Sequence, residues 1–276
     1  MQRPFRQVDV FTSTPYGGNP LAVVLDADGL TDEEMQRFAH WTNLSETTFL
    51  LPPADPRADY RVRIFTTTSE LPFAGHPTLG TCHAWLEAGG VPRDSRTVVQ
   101  ECGAGLIRVR GDDRGDLAFA APPLLRSGPV DETLLTGLAA ALGIARDDVV
   151  DAEWADNGPG WVALLLRDAD AVLALRPGRV PVDVGVAGPH PAGSPYAYEL
   201  RAFCPHDGGT TEDPVTGSLN ASVAQWLLRT GRVTAPYTVS QGTALGRAGR
   251  VRITAEGDDV WVGGSVATRV SGHVSL

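Results

Sequence analysis

Phe73–Leu86 reads FAGHPTLGTCHAWL, and far down the chain Asp213–Leu227 reads DPVTGSLNASVAQWL. The second stretch repeats the plan of the first: a polar residue (His76 or Asp213), a proline, two residues, a glycine, then a hydroxyl residue (Thr81 or Ser218). Proline at the first helical position forfeits no hydrogen bond, and a polar side chain just ahead of it can cap the orphan N–H groups. Both stretches are therefore predicted to open a helix. The chain reads as built twice around two helix starts.

Upstream residues test the duplication. Tyr60–Phe65 reads YRVRIF and Tyr198–Phe203 reads YELRAF, so Arg63 and Arg201 stand 138 positions apart (201 minus 63). His76 and Asp213 stand 137 apart (213 minus 76), and half of the 276 residues is 138. Asn19-Pro20 before LAVVL and Asn157 before WVALLL are again 138 apart (157 minus 19). Matches in order at one offset predict two domains, 1–121 and 122–276, divided at Ala121-Pro122-Pro123. The last ten or so residues are free to pair back onto the first. Chance likeness of strand–turn–helix units is the competing reading, because internal repeats are normally read at shorter periods.

The periodicity supports an alternating order of strands and helices. Phe5–Phe11 and Leu21–Leu25 read as strands around the turn PYGGNP. Thr31-Asp32-Glu33-Glu34 has capping-box spacing, and Met35, Phe38 and Ala39 form an apolar stripe, so a short amphipathic helix runs to about Asn43. Glu46 then stands between that helix and a strand at Thr47–Leu51, where a carboxylate is most often solvated surface. The helix from Pro77 is apolar over much of its circumference, which makes it a buried central helix. Gly89-Gly90 stops it, as Gly231 stops its counterpart. Further strands are expected at 97–100, 106–110 and 117–120. A helix is expected at 131–142, a loop at 155–160, a strand at 161–166 and a short helix at 169–175. Only a short strand fits the stretch 177–195, and strands return at 237–240, 251–254 and 260–263.

Composition excludes several classes of function. With 42% hydrophobic and 20% charged residues the chain is that of a packed soluble protein, and a net charge of −10 leaves little attraction for nucleic acid or an anionic membrane. The N-terminus lacks an apolar signal core, and no run approaches the ~20 apolar residues that span a bilayer. Cys82, Cys102 and Cys204 are too irregular for a disulfide framework, and no CxxC pair is present. A reduced, cytoplasmic setting is expected.

Two facing helix N-termini would aim unpaired N–H groups into one cleft, a place that attracts carboxylates. Gly75, Gly80 and Gly217 would let a ligand approach the backbone, with His76, Asp213, Thr81 and Ser218 lining the approach. His76 and Asp213 are also natural helix caps, and their matched positions leave cap and catalyst both open. No metal is expected, since His76 and His83 lie ~10 Å apart along one helix at ~1.5 Å per residue. Neither GxGxxG nor GxxxxGK[ST] occurs, so no nucleotide site is indicated. Cys102, without a neighbouring histidine, reads as a small buried residue rather than a nucleophile.

VDVFTSTPYGGNPLAVVL, NLSETTFL, RIFTTTSELPFAGHPTLG and RAFCPHDGGTTEDPVTGS together resemble the signature blocks of the PhzF-like family. The resemblance implies an α/β fold similar to diaminopimelate epimerase. Such a fold has two pseudo-symmetric domains, each a curved, barrel-like sheet around a central helix, with the active site between them and usually a homodimer. It also implies a cofactor-independent isomerisation of trans-2,3-dihydro-3-hydroxyanthranilate, in which a glutamate, here Glu46, shuttles a proton from C3 to C1. His76, Asp213 and Ser218 match the other catalytic positions, and Gly75, Thr78, Thr81, Thr216 and Gly217 are the expected substrate-binding residues. The chain departs from the family pattern at Thr67, which is expected to be neutral, and at Leu219-Asn220, which could reshape the pocket.

The first hypothesis is therefore an isomerase that moves a proton within a small carboxylate-bearing, cyclic substrate. A racemase or epimerase of an amino-acid-like substrate is the rival within enzymes, but related racemases place a thiol at each helix start. A third reading is a non-catalytic member that binds a metabolite or a protein.

Overall fold

Alternation along Tyr60–Phe65 buries Tyr60, Val62 and Ile64 and leaves Arg61 and Arg63 half-buried, as in a strand with one face on a core. In the computed structural model, which describes every residue except Asp113 and Asp207, this strand is the fourth. The chain begins with β1 (Gln2–Val10), β2 (Asn19–Val24), α1 (Asp32–Thr42), β3 (Thr47–Leu51), β4 (Tyr60–Phe65), β5 (Glu70–Leu71), α2 (Gly75–Glu87), β6 (Val98–Cys102), β7 (Gly105–Gly111) and β8 (Leu117–Ala120). It continues with β9 (Arg126–Gly128), α3 (Glu132–Leu142), β10 (Val149–Asp156), β11 (Val162–Leu166), α4 (Ala169–Ala174), β12 (Val184–Pro189), β13 (Tyr198–His206) and β14 (Gly209–Asp213). Then come α5 (Gly217–Arg229), β15 (Tyr237–Gln241), β16 (Gly249–Glu256), β17 (Asp259–Gly264) and β18 (Val266–Ser275). The chain forms two units, Met1–Ala120 with Gly263–Leu276, and Ala121–Val262.

In the first unit β18 and β2 pair antiparallel to β1, β3 runs parallel to β2, and β4 is antiparallel to β3. β4 then has two partners, β5 antiparallel and β6 parallel, and β7 and β8 follow as a meander. Helix α2 touches β18, β1, β2, β3, β6 and β8, strands from both ends of that order. The sheet therefore curls around the helix. Gly80 makes the fit possible, since a Cβ there would meet Leu21 at 2.6 Å and Val8 at 2.9 Å.

The second unit repeats this connectivity. β10 and β11 are antiparallel, β12 is parallel to β11, β13 is antiparallel to β12, and β13 pairs with β14 antiparallel and β15 parallel. Its core packs α3 and α4 on the sheet through Leu135, Leu138, Leu142, Val172, Leu164 and Phe203. Here the small residue lies on the strand and the large one on the helix: a Cβ on Gly185 of β12 would meet Leu219 of α5 at 2.3 Å.

Helix α1 shows why the expected cap works. The Thr31 side chain accepts from the Glu34 N–H, and Glu34 reaches back to the Thr31 N–H at 2.9 Å. Met35, Phe38 and Ala39 are buried against Phe49 and Phe65, and Asn43 closes the helix in the left-handed region at φ 54°. Such a cap contributes ~1 kcal/mol.

The central helices start differently from expectation. α2 begins at Gly75, so Pro77 is inside it, and α5 begins at Gly217, so Pro214 lies ahead of it. The caps are Ala74 and Thr216, and neither His76 nor Asp213 caps its helix. The helices align Gly75 with Gly217, 142 positions apart (217 minus 75), which pairs His76 with Ser218. The cause is the hairpin ahead of each helix. β13 and β14 have nine and five residues where β4 and β5 have six and two. Among the described residues, no helix is long and apolar enough to cross a membrane.

Candidate active site

Glu46 stands on the short link between α1 and β3, where Asn43 turns the chain out of the helix and Thr47 is tied back to Thr42 through their hydroxyls at 2.8 Å. Its Oε2 lies 3.3 Å from Nε2 of His76, the second residue of α2. The glutamate side chain is 16% exposed and the histidine 3%, so a ligand reaching this place meets the carboxylate. Burial pushes the imidazole down to about 3, and the ring is uncharged at neutral pH. On its other side Nδ1 of His76 meets Nδ2 of Asn19 at 3.2 Å.

In the second unit the Thr216 hydroxyl donates to the Asp213 carboxylate at 2.5 Å. Its direction is set by Gln241 on β15, which is fully buried. Gln241 Nε2 donates to the same hydroxyl at 2.9 Å, while its Oε1 accepts from the Thr216 N–H at 3.0 Å and from Asn220 at 2.8 Å. The threonine oxygen accepts from the amide, and its own proton points to Asp213. Ser218 is held as well: its Oγ accepts from Trp161 at 3.1 Å, and its carbonyl accepts from Asn157 at 2.9 Å.

The helix starts share a further feature. α1, α3 and α4 are capped by the side chains of Thr31, Asp131 and Asp168, with acidic residues in the first turn. α2 and α5 have no side-chain cap and no acidic residue there. An uncapped helix N-terminus carries partial positive charge and N–H groups suited to a carboxylate.

Other sequence candidates are committed to packing. Thr78 is fully buried, donating to the Ala74 carbonyl at 2.9 Å and accepting from Gln100 at 2.9 Å. Thr81 is fully buried and donates to Thr48 at 2.8 Å. The missing Cβ of Gly80 accommodates β1 and β2, not a ligand. Leu219 packs into the space above Gly185, and Asn220 bonds the Thr216 carbonyl and Gln241, so neither reshapes a ligand surface. Asn19, Gln100 and Gln241 lie outside the residue patterns that point to function. Asn19 and Asn157 did carry a signal, the 138-residue offset, and each of them reaches the first turn of a central helix. Among the described residues, no group of three or more His, Cys, Asp or Glu is placed to hold a metal ion.

A family model described as phenazine biosynthesis-like protein, PhzC-PhzF, matches residues 8–275. The chain belongs to this family. Trans-2,3-dihydro-3-hydroxyanthranilate isomerase of Pseudomonas fluorescens is 36% identical, over 91% of this chain and 89% of that one. Antisense-enhancing sequence 1 of Schizosaccharomyces pombe is 35% identical, over 98% of each. The fold matches the crystal structure of a PhzF-family protein from Bacillus anthracis at a TM-score of 0.82 and 24% identity, with 100% of both chains covered. The family match and its isomerase relatives make this PhzF-like chain an enzyme of the isomerase class.

Proposed function

We propose that the protein moves a proton within a small carboxylate-bearing, cyclic substrate without a cofactor, as in the isomerisation of trans-2,3-dihydro-3-hydroxyanthranilate. Glu46 takes the proton from one carbon, carries it as the carboxylic acid and returns it to another. The observation that supports this reading is the contact between Glu46 and a buried, uncharged His76 at 3.3 Å. Burial disfavours the charged imidazolium, so His76 meets the carboxylate as a neutral polar partner. His76 orients Glu46 and the substrate, and the uncapped start of α2 attracts the substrate carboxylate. On the family resemblance Asp213, which accepts from the Thr216 hydroxyl, is proposed as a further catalytic residue.

A two-thiol racemase fits less well. The cysteine of α2, Cys82, is fully buried and its thiol is pushed up to about 12, chiefly by burial. The proposal includes a homodimer, on the family resemblance, and a reduced, cytoplasmic setting, on the irregular spacing of the three cysteines. The test is incubation with dihydro-hydroxyanthranilate in deuterated water. Turnover with deuterium at C1 is expected, because the partly exposed Glu46 acid exchanges its proton with the solvent before returning it, whereas binding without label would make the protein a binder of this compound.

A further inference from the structure

The ring of His76 has two nitrogens with opposite duties, and one neighbour decides which carries the proton. Asn19 is fully buried, and His76 is nearly so. An amide NH₂ has protons and no lone pair to offer, so Nδ2 of Asn19 can only donate to Nδ1 of His76 at 3.2 Å. A neutral imidazole that accepts at Nδ1 carries its hydrogen on Nε2. Nε2 is the atom 3.3 Å from Glu46 Oε2.

We propose that Asn19 is a positioning residue, which fixes His76 in the Nε2–H tautomer so that a donor, and not a lone pair, faces Glu46. This rests on the reading of Glu46 as the proton-carrying group. A lone pair at that place would repel the carboxylate, and an N–H attracts it. The contact does not meet hydrogen-bond geometry, and Nε2 has no other hydrogen-bond partner among the described residues. The Nε2–H is therefore a buried donor, available to a substrate oxygen as well as to Glu46.

The chain ahead of Asn19 is built to hold it in place. Phe11, buried and bulky, is bent into the left-handed region at φ 64° as β1 ends, a conformation that persists only where surrounding contacts enforce it. Those contacts are present. The Thr12 N–H donates to the Ser265 carbonyl at 3.1 Å, and the Gly18 N–H donates to Asp9 at 3.0 Å. A Cβ on Gly18 would lie 2.0 Å from the Val10 carbonyl, so the turn closes against β1 only with glycine there. Pairing of Asn19 with Val10 then sets the register of the amide.

The test is nitrogen NMR of the histidine rings in ¹⁵N-labelled full-length protein at neutral pH, with His76→Gln used to assign the signal. The wild type is expected to show His76 protonated at Nε2 and bare at Nδ1. Asn19→Asp replaces the donor by an isosteric acceptor and is expected to move the proton to Nδ1. It should also slow deuterium transfer into dihydro-hydroxyanthranilate on the order of 10²-fold, with a smaller loss for Asn19→Ser, which keeps a donor. A wild-type ring protonated at Nδ1, or Asn19→Asp slowed with its tautomer unchanged, overturns the proposal. The wild-type spectrum decides even if Asn19→Asp fails to fold. It also needs no substrate, so a wrong substrate leaves the tautomer result standing.

Discussion

Arg201 holds Glu212 through two parallel bonds, Nε to Oε1 at 2.9 Å and Nη2 to Oε2 at 2.7 Å, beside Asp213. Arg63 holds Glu70 in the same way at 2.8 and 2.6 Å. Each guanidinium also lies over an aromatic ring two residues on, Phe203 at 4.9 Å and Phe65 at 5.0 Å. The clamp is thus repeated, and in each unit it ties the strand to the hairpin that leads into the central helix.

Burial differs between the two clamps, and so should their energetics. Arg201 and Glu212 are 6% and 10% exposed, whereas Arg63 and Glu70 are 23% and 41% exposed. Arg201→Met leaves a buried carboxylate without its partner and should cost about 3 to 5 kcal/mol in urea unfolding. Arg63→Met should cost about 1 kcal/mol or less. Adding Glu212→Met to Arg201→Met should recover most of the loss. Equal costs at the two sites would show that burial is not what distinguishes them.

His76 makes a prediction about acid. Burial lowers its folded-state value to about 3, below the 6.5 of an unfolded chain, so between those values the unfolded state binds the extra proton. Stability from this residue is therefore present above about pH 6.5 and is lost as pH falls toward 3. At pH 5 the loss is about 2 kcal/mol, from about 1.5 units at 1.36 kcal/mol each. Urea midpoints at pH 7 and pH 5 should fall further for the wild type than for His76→Asn. His83, also lowered chiefly by burial, is common to both and cancels. Parallel falls would mean that His76 is not the group that titrates.

The cysteines are expected to be chemically silent. Burial raises the thiols of Cys82 and Cys102, so little thiolate exists at neutral pH. Single replacement by alanine should leave turnover within about tenfold, with a stability loss at the fully buried Cys82. Rapid, stoichiometric inactivation by a thiol reagent at Cys102, prevented by substrate, would give that residue a role.

Much of the fold was legible because local chemistry and tertiary packing agree. Thr31 and Glu34 form the box their spacing predicts, and the strands Thr47–Leu51, Tyr60–Phe65 and Leu117–Ala120 have the expected bounds. The periodicity predicts no strand at β10 and a loop where it ends. Its buried face includes Glu153, which is neutralised by Arg229 of α5, so the alternation is hidden by an inward carboxylate. β14 was hidden for another reason: GTTED is polar because a short hairpin arm at a half-exposed edge has no apolar face to declare. Proline marks the helix starts in the sequence, but the hairpin ahead of α5 is longer, which shifts the equivalence from Asp213 to Ser218. Contacts such as Asn19 with His76, or Gln241 with Thr216, join residues 57 and 25 positions apart. No local pattern announces them.

Glu46→Gln is the sharpest test of the proposed chemistry. A shuttle between two carbons needs one group that both accepts and donates, and glutamine keeps the shape of the side chain while losing that capacity. The Oε2 position beside His76 is also the one most easily preserved. An amide oxygen placed 3.3 Å from Nε2 presents the same acceptor atom to an Nε2–H as the carboxylate does, so packing around His76 should survive the change. Folding, followed by urea unfolding, should change by less than about 1 kcal/mol, and substrate should bind about as well as to the wild type. The chemical step should slow by on the order of 10² to 10⁴, the usual contribution of a positioned acid–base group. His76→Ala should be slow too, but with weaker binding as well, because the proposal assigns it to orientation. With dihydro-hydroxyanthranilate in deuterated water, label at C1 separates the cases. Undiminished incorporation by Glu46→Gln would remove Glu46 from the proton path, and selective loss in that variant, with binding intact, would place the proton on its carboxylate.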